Sequence, residues 1–194
     1  MRQKIYSLLQ SYRPSCKQEE QDRRVMLEYT KHFDNVLERE NHFGHFTASP
    51  WIINEDGSRV LLIYHRIYDS WGWCGGHCDG DENFHEVAIR EGREETGLDS
   101  IRFWREPAEI FSLEILPVPP HVRRGEFVSS HVHLNLTFLC VADEKEPLHH
   151  REEEAKGAMW VPAEKISTYI SPWDRDMIPV YEKLTEKAEK LYKI

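Results

Sequence analysis

The sequence predicts an α+β fold, because it contains segments with helical periodicity and segments with strand periodicity. Residues 3–40 carry apolar side chains at mostly helical spacing, and the break near Pro14 indicates two helices. Residues 84–96 form a charged run suited to a third helix. Residues 128–141 alternate polar and apolar side chains, which is typical of a strand with one polar face and one core face.

Shorter patterns complete the expected order of elements. A strand over residues 42–54 and a returning strand over residues 60–67 flank Asp56-Gly57, a common hairpin turn signal. The remaining predicted elements are strands over 101–104, 109–116 and 159–162, a short helix from Ala163 and a terminal helix from about Trp173.

Length and composition indicate a globular protein with one sizeable core. The chain has 194 residues, of which 40% are hydrophobic and 30% are charged. We divide it into an N-terminal helical extension, residues 1–40, and a main domain, residues 41–194. The extension is predicted either to pack on the core or to build a homodimer contact, and packing on the core is favoured.

Charge and hydropathy exclude several classes of partner. The formal net charge of −9 argues against a general nucleic-acid binder, which needs a basic surface. No apolar run approaches the roughly 20 residues that a membrane span requires, and the first residues lead into no signal-like segment. We therefore expect a cytoplasmic protein without a nucleic-acid or membrane partner. Four scattered cysteines are expected to be reduced thiols.

The charged run concentrates carboxylates on one side of its predicted helix. Glu91, Glu94 and Glu95 are spaced i, i+3 and i+4, so their side chains share a face and repel one another. A hard divalent cation with oxygen ligands would compensate this repulsion and retain water ligands for a phosphate substrate. The pattern predicts a metal site on this helix.

The same stretch has a defined spacing of charged residues and glycines: Gly76, five residues, Glu82, seven residues, Arg90-Glu91, two residues, Glu94-Glu95, one residue and Gly97-Leu98. This spacing resembles the Nudix box, the signature of the MutT-like Nudix hydrolase family. The resemblance extends over about residues 42–170. It implies a Nudix fold, which is an α/β/α sandwich with a mixed β-sheet between helices.

The resemblance also implies an activity. A Nudix enzyme of this type would hydrolyse a pyrophosphate bond in a nucleoside diphosphate linked to another moiety, with Mg²⁺ or Mn²⁺ as cofactor. Glu91, Glu94 and Glu95 would hold the metal, and one of them would accept the proton of the attacking water. A carbonyl oxygen of Gly75 or Gly76 would add a ligand.

Other positions of the motif would support these carboxylates. Arg90 would orient the glutamates, Glu82 would tie the loop to the helix, and Gly76 and Gly97 would shape the loop and the helix end. Gly92 departs from the pattern, because the family has an aliphatic residue there. We expect Gly92 to face the sheet rather than the metal and to cost helix stability, by about 1 kcal/mol relative to alanine.

The loop that enters the box contains a second departure and a false metal signal. Cys74 stands where Nudix sequences commonly have proline, which predicts a less rigid loop. Cys74, His77 and Cys78 together suggest zinc, but a fourth ligand is not evident. We therefore favour the box over a zinc site.

Substrate contacts are expected outside the box. Arginines on a proline-stiffened loop suit phosphate oxygens, and a polar strand face between covering helices suits a cleft. The His-x-His pattern on that face suggests metal as well, although a magnesium site prefers oxygen. The candidates are Arg123, Arg124 and Glu126 in the loop, His131 and His133 on the strand, and Glu153 and Glu154 in an acidic loop over 143–156.

Two other functions stay open at this point. A Nudix-like domain without catalysis would bind or sense a nucleotide, although the intact carboxylate set argues against it. An enzyme like isopentenyl diphosphate isomerase shares the fold and has a cysteine near the entry loop, but lacks the full Arg-Glu and Glu-Glu pattern seen here. A magnesium-dependent phosphate-release assay separates a hydrolase from a sensor.

Overall fold

The computed structural model describes residues 2–123, 125–150 and 155–192. Its helices are α1 (Arg2–Ser11), α2 (Lys17–His32), α3 (Phe84–Thr96) and α4 (Ile178–Tyr192), with 3-10 turns at Ala163–Thr168 and Arg175–Met177. Its strands are β1 (Gly44–Ile53), β2 (Arg59–His65), β3 (Ser70–Gly72), β4 (Gly76–His77), β5 (Arg102–Phe103), β6 (Ser112–Val118), β7 (His121–Arg123), β8 (Glu126–Val128), β9 (His131–Val141) and β10 (Ala155–Pro162).

The main sheet is mixed. In the described part of the chain its central path runs β10-β2-β1-β9-β5, with β3 beside β2, β4 beside β1 and β6 beside β9. Strands β1 and β9 are parallel along their whole paired length, and the other pairs are antiparallel. Every residue of β1 is buried, as expected for a strand at the centre of a sheet that is covered on both faces.

Different helices cover the two faces. On one face Ile52 and Leu136 belong to the same buried cluster as Val87 of α3. On the other face Trp51 and Leu139 share a cluster with Leu184 of α4. The prediction of an α+β fold with a mixed sheet between helices is confirmed, and the additional N-terminal helices are present.

The N-terminal helices belong to the main core. Ile5 and Leu9 of α1 and Met26 of α2 are fully buried in the cluster that contains Phe46 of β1. Glu19 of α2 is also fully buried. The structure thus packs the extension on the core, while the boundary near residue 40 and a homodimer contact stay predictions. Among the described helices, none has the length and apolar character that crossing a membrane requires.

Two local predictions are wrong. The proline-rich segment expected to be a loop is instead the end of β6, through Val118, followed by the β7–β8 hairpin. The terminal helix begins at Ile178 rather than near Trp173. Trp173 donates its indole N–H to the carbonyl of Tyr68, which anchors it before the helix. Pro179 suits the first turn because an N–H there has no acceptor within the helix, so its absence costs no hydrogen bond.

Gly92 fits a tight contact between α3 and the sheet, as expected from its position. A Cβ there would lie 3.0 Å from Pro50 and 3.1 Å from Ile101. We predict that Gly92→Leu destabilises the fold by about 1–3 kcal/mol through overpacking. Chemical denaturation measures this change, and Pro50→Ala in the same chain is expected to recover part of it. Equal destabilisation in both backgrounds would contradict the packing explanation.

Candidate active site

Local signals in the sequence fix both ends of α3. The side chain of Asn83 caps the helix by accepting a hydrogen bond from the N–H of Glu86. At the other end Gly97 adopts a left-handed conformation with φ of 73°, and its N–H donates to the carbonyl of Arg93. The helix predicted between Asn83 and Gly97 is therefore confirmed.

Two of the three carboxylates contact the glycine loop. The N–H of Gly75 donates to Glu95 Oε2 over 2.8 Å, and Glu95 is only 6% exposed. A Cβ on Gly76 would collide with the carboxyl group of Glu91, so this approach requires glycine. The structure thus brings Glu91, Glu95, Gly75 and Gly76 together, as the motif predicts.

Glu94 lies on the other side of Glu91 from Glu95 on the helix surface, and it is half-buried. It borders a groove along α3 whose other lining side chains include His85, Ile89, Arg93 and Phe103. This placement puts one carboxylate of the set at the open side of the helix, where a solvent-borne ligand has access.

Arg90 and Glu82 lie beside the carboxylates. Arg90 Nη2 is 3.3 Å from Glu91 Oε1, and its Nη1 is 3.7 Å from Asp81 Oδ2. These contacts suit the orienting role proposed for Arg90. Glu82 Oε2 lies 3.7 Å from Lys4 Nζ, so this residue also contacts α1.

The donor chemistry of this region fits a hard divalent cation. It combines carboxylate oxygens on one helix with the carbonyl oxygens of a loop held against that helix, and Mg²⁺ prefers such ligands. Glu91, Glu94 and Glu95, with a carbonyl of Gly75 or Gly76, are the residues that would hold it.

A second cluster of titratable side chains lies on β1, β4 and β9. The parallel register places His45 opposite His133, and His131 lies two residues earlier on β9. His77 pairs with Thr47, two residues after His45. The centroids of the rings are 4.8–5.3 Å apart for every pair except His77 with His131.

Burial holds several of these imidazoles neutral. Loss of hydration, with help from Arg39, lowers the pKa of His77 to about 3. Burial and the neighbouring histidines place the pKa of His133 well below its usual range, and burial lowers the pKa of His45. A neutral imidazole has a lone pair available for a metal ion.

Sequence reasoning missed His45 and reached His77 only as part of a mistaken zinc pattern. The signal that the sequence offered for this cluster was the alternation on β9, which places His131 and His133 on a single face but does not indicate His45 or His77. The cysteines of that mistaken pattern are structural, because Cys74 and Cys78 are buried and burial raises the pKa of each thiol.

The candidate substrate contacts are dispersed. Arg123 and Glu126 are exposed and face each other at the end of the β7–β8 hairpin. His131 and His133 lie in the histidine cluster on β9. Arg124, Glu153 and Glu154 lie outside the described residues.

The comparison with protein families decides the assignment. The NUDIX domain model matches residues 45–181, which is well over half of the chain. The chain belongs to the Nudix family. The resemblance seen in the spacing of the box is therefore confirmed for the domain as a whole, and this Nudix chain carries two additional helices before the matched region.

Solved structures agree at the level of the fold. The Nudix chain is similar to an Ap4A hydrolase from C. elegans (17% identity, TM-score 0.53, covering 75% of this chain and 96% of that chain). It is also similar to a Nudix-family hydrolase from Clostridium perfringens (23%, 0.51, 76% and 97%) and to the Nudix hydrolase RenU from M. smegmatis (17%, 0.51, 76% and 88%). A comparison with curated proteins finds no match.

Proposed function

We propose that this Nudix chain is a divalent-metal-dependent pyrophosphohydrolase that cleaves a nucleoside diphosphate linked to another moiety. The observation that carries the proposal is the convergence of Glu91 and Glu95 on the Gly75–Gly76 loop. A shared loop and helix surface of this kind places several oxygen donors around one position, which a phosphate-binding cation requires.

The protein's own residues have separable tasks in this scheme. Glu91, Glu94 and Glu95 would hold Mg²⁺ or Mn²⁺, which when bound neutralises diphosphate charge and acidifies a water molecule. Gly75 N–H keeps the Glu95 carboxylate in place through its hydrogen bond. Arg90 restrains Glu91 from the solvent side. One glutamate of the set takes the proton of the attacking water.

Substrate binding is proposed to involve the β7–β8 hairpin. Arg123 carries a guanidinium group that matches phosphate oxygens, and its exposure leaves it accessible to a ligand. Glu126 lies directly opposite and would fix the arginine or contact the second moiety of the substrate. A cytoplasmic location fits such a small-molecule enzyme and belongs to the same proposal.

A substrate panel tests the function. Purified protein is incubated with nucleotide sugars, ADP-ribose, dinucleoside polyphosphates, NADH, coenzyme A and oxidised dNTPs, and products are identified by mass spectrometry. We expect pyrophosphate cleavage of at least one compound with Mg²⁺ or Mn²⁺ and none in excess chelator. On that compound Arg123→Ala is expected to raise KM with little change in kcat. Binding of a nucleotide without turnover would favour the sensor function instead.

A further inference from the structure

The histidine cluster is separate from the carboxylates of the box. Along β4, Gly76 pairs with Ala48 and contacts Glu91, whereas the next residue, His77, pairs with Thr47. Successive residues of a strand point to opposite faces, so His77 points away from α3. His45 shares the face of Thr47 because the two are separated by two positions on β1.

Hydrogen bonds prepare two of these rings for a ligand. His131 Nδ1 is 2.9 Å from the carbonyl oxygen of Ser129, and His45 Nδ1 is 3.4 Å from that of Asn41. A carbonyl oxygen only accepts, so each Nδ1 carries the proton and each Nε2 presents its lone pair. This pattern of backbone support is common for histidines that bind metals.

Two buried nitrogen atoms in the cluster have no hydrogen-bond partner among the described residues. They are Nε2 of His45 and Nε2 of His133, and His45 is only 3% exposed. Buried polar atoms without a partner are rare, because burial removes their hydrogen bonds to water. These two atoms therefore point to a group that the protein chain itself does not supply.

We propose that His45, His131 and His133 bind a divalent transition-metal ion. Ligand atoms of the three lie within 4.8 Å of one another. Imidazoles that share a tetrahedral ion, with metal–nitrogen bonds of about 2.1 Å, have ring centroids roughly 5 Å apart. The three ring pairs formed by His45, His131 and His133 are 5.1–5.3 Å apart, in agreement with this value.

The donor set selects the class of ion. Imidazole suits zinc, copper, iron and nickel, whereas Mg²⁺ prefers oxygen ligands. The ion is therefore different from the one proposed at the box, and His131 and His133 act on it rather than on the substrate directly. It would fasten β1 to β9 beside β4, the strand that follows the Gly75–Gly76 loop.

Cobalt spectroscopy tests the site without relying on activity. The full-length protein is stripped with chelator, kept in excess Mg²⁺ so that oxygen sites are occupied, and titrated with Co²⁺ and then with Zn²⁺. We expect one equivalent of Co²⁺ to give visible ligand-field absorption, and Zn²⁺ to displace it and raise the melting temperature. A titration of the wild-type protein without this absorption would overturn the proposal.

Matched variants locate the ion. His131→Asn and His133→Asn are each expected to weaken binding by about 100-fold or more, since even supporting residues of metal sites contribute 10–100-fold. His121→Asn, on the exposed hairpin, and Glu91→Gln, in the box, should leave the affinity for Co²⁺ unchanged. Circular dichroism checks folding. If His131→Asn or His133→Asn fails to fold, the glutamine variant at the same position replaces it.

Two results would contradict the assignment directly. Loss of Co²⁺ absorption in Glu91→Gln, with retention in His131→Asn and His133→Asn, would place the ion at the box and remove the histidine site. Unchanged affinity for Co²⁺ in both His131→Asn and His133→Asn would likewise remove the histidine site.

Discussion

Glu95→Gln is expected to lower kcat by about 100-fold or more while the protein stays folded. The substitution keeps the size and helix propensity of the side chain, and its amide oxygen still accepts the hydrogen bond from Gly75 N–H. What it removes is one negative charge from the oxygen donors proposed to hold Mg²⁺. The measurement is turnover against metal concentration on the best substrate of the panel.

The same variant separates charge from packing. Without metal, Glu95→Gln is expected to be as stable as the wild type or more stable by a few tenths of a kcal/mol, because one of three neighbouring like charges is gone. Glu164→Gln, at an exposed glutamate outside α3 and its groove, provides a control with unchanged kcat. Glu82→Gln should be milder than Glu95→Gln. Turnover of Glu95→Gln close to wild type would refute the metal-binding role of the carboxylate helix.

Glu19→Gln is expected to lower the free energy of unfolding by about 3 kcal/mol. Glu19 is fully buried, and its Oε1 accepts hydrogen bonds from Lys187 Nζ and Ser112 Oγ, each over 2.7 Å. Lys183 Nζ, 3.5 Å away, also pairs with Glu114 at 2.9 Å. Removing the Glu19 charge leaves two partly buried ammonium groups with one carboxylate between them.

Acid titration gives this prediction a second measurement. Burial alone would raise the pKa of Glu19, but hydrogen bonds from Lys187, Ser15 and Ser112 outweigh it and lower the pKa from 4.5 to about 2. A lowered folded-state pKa means that the stabilisation is complete above pH 4.5 and is lost as the pH falls towards 2. The stability difference between wild type and Glu19→Gln should therefore shrink over that interval.

Glu20→Gln is the matched control, because Glu20 is exposed and adjacent on the same helix. We expect it to change the free energy of unfolding by less than about 0.5 kcal/mol at any pH. Denaturant unfolding of the three proteins decides the matter. If Glu19→Gln were as stable as Glu20→Gln at neutral pH, the buried ion pairs would not link α2 to α4 in the way described.

These ion pairs explain why the chain segments before and after the family match matter to the fold. Glu19 in α2 lies before the matched residues 45–181, and Lys187 in α4 lies after them. Their contact connects both additions to β6 through Ser112 and Glu114. The extension is thus part of the buried polar layer beside the sheet, and its removal would expose charged groups that are now paired.

The sequence by itself determined the helix that carries the carboxylates. Asn83, Gly97 and the i, i+3, i+4 spacing of Glu91, Glu94 and Glu95 act within one helix, so their geometry follows from helical rotation and capping alone. The family resemblance rests on the same 23 residues. The strands β1, β2 and β9 also followed from local periodicity, because each alternation or apolar run specifies its own secondary structure.

Only the tertiary structure decided the histidine cluster and the Glu19 network. His45 and His133 are 88 positions apart in the chain, and nothing in either local pattern states that β1 and β9 are parallel neighbours in this register. Glu19 resembles any other charged residue of an amphipathic helix until Lys187 and Ser112 are placed beside it. Strand pairing and helix docking depend on contacts between distant segments, and these contacts carry no signal in a local sequence pattern.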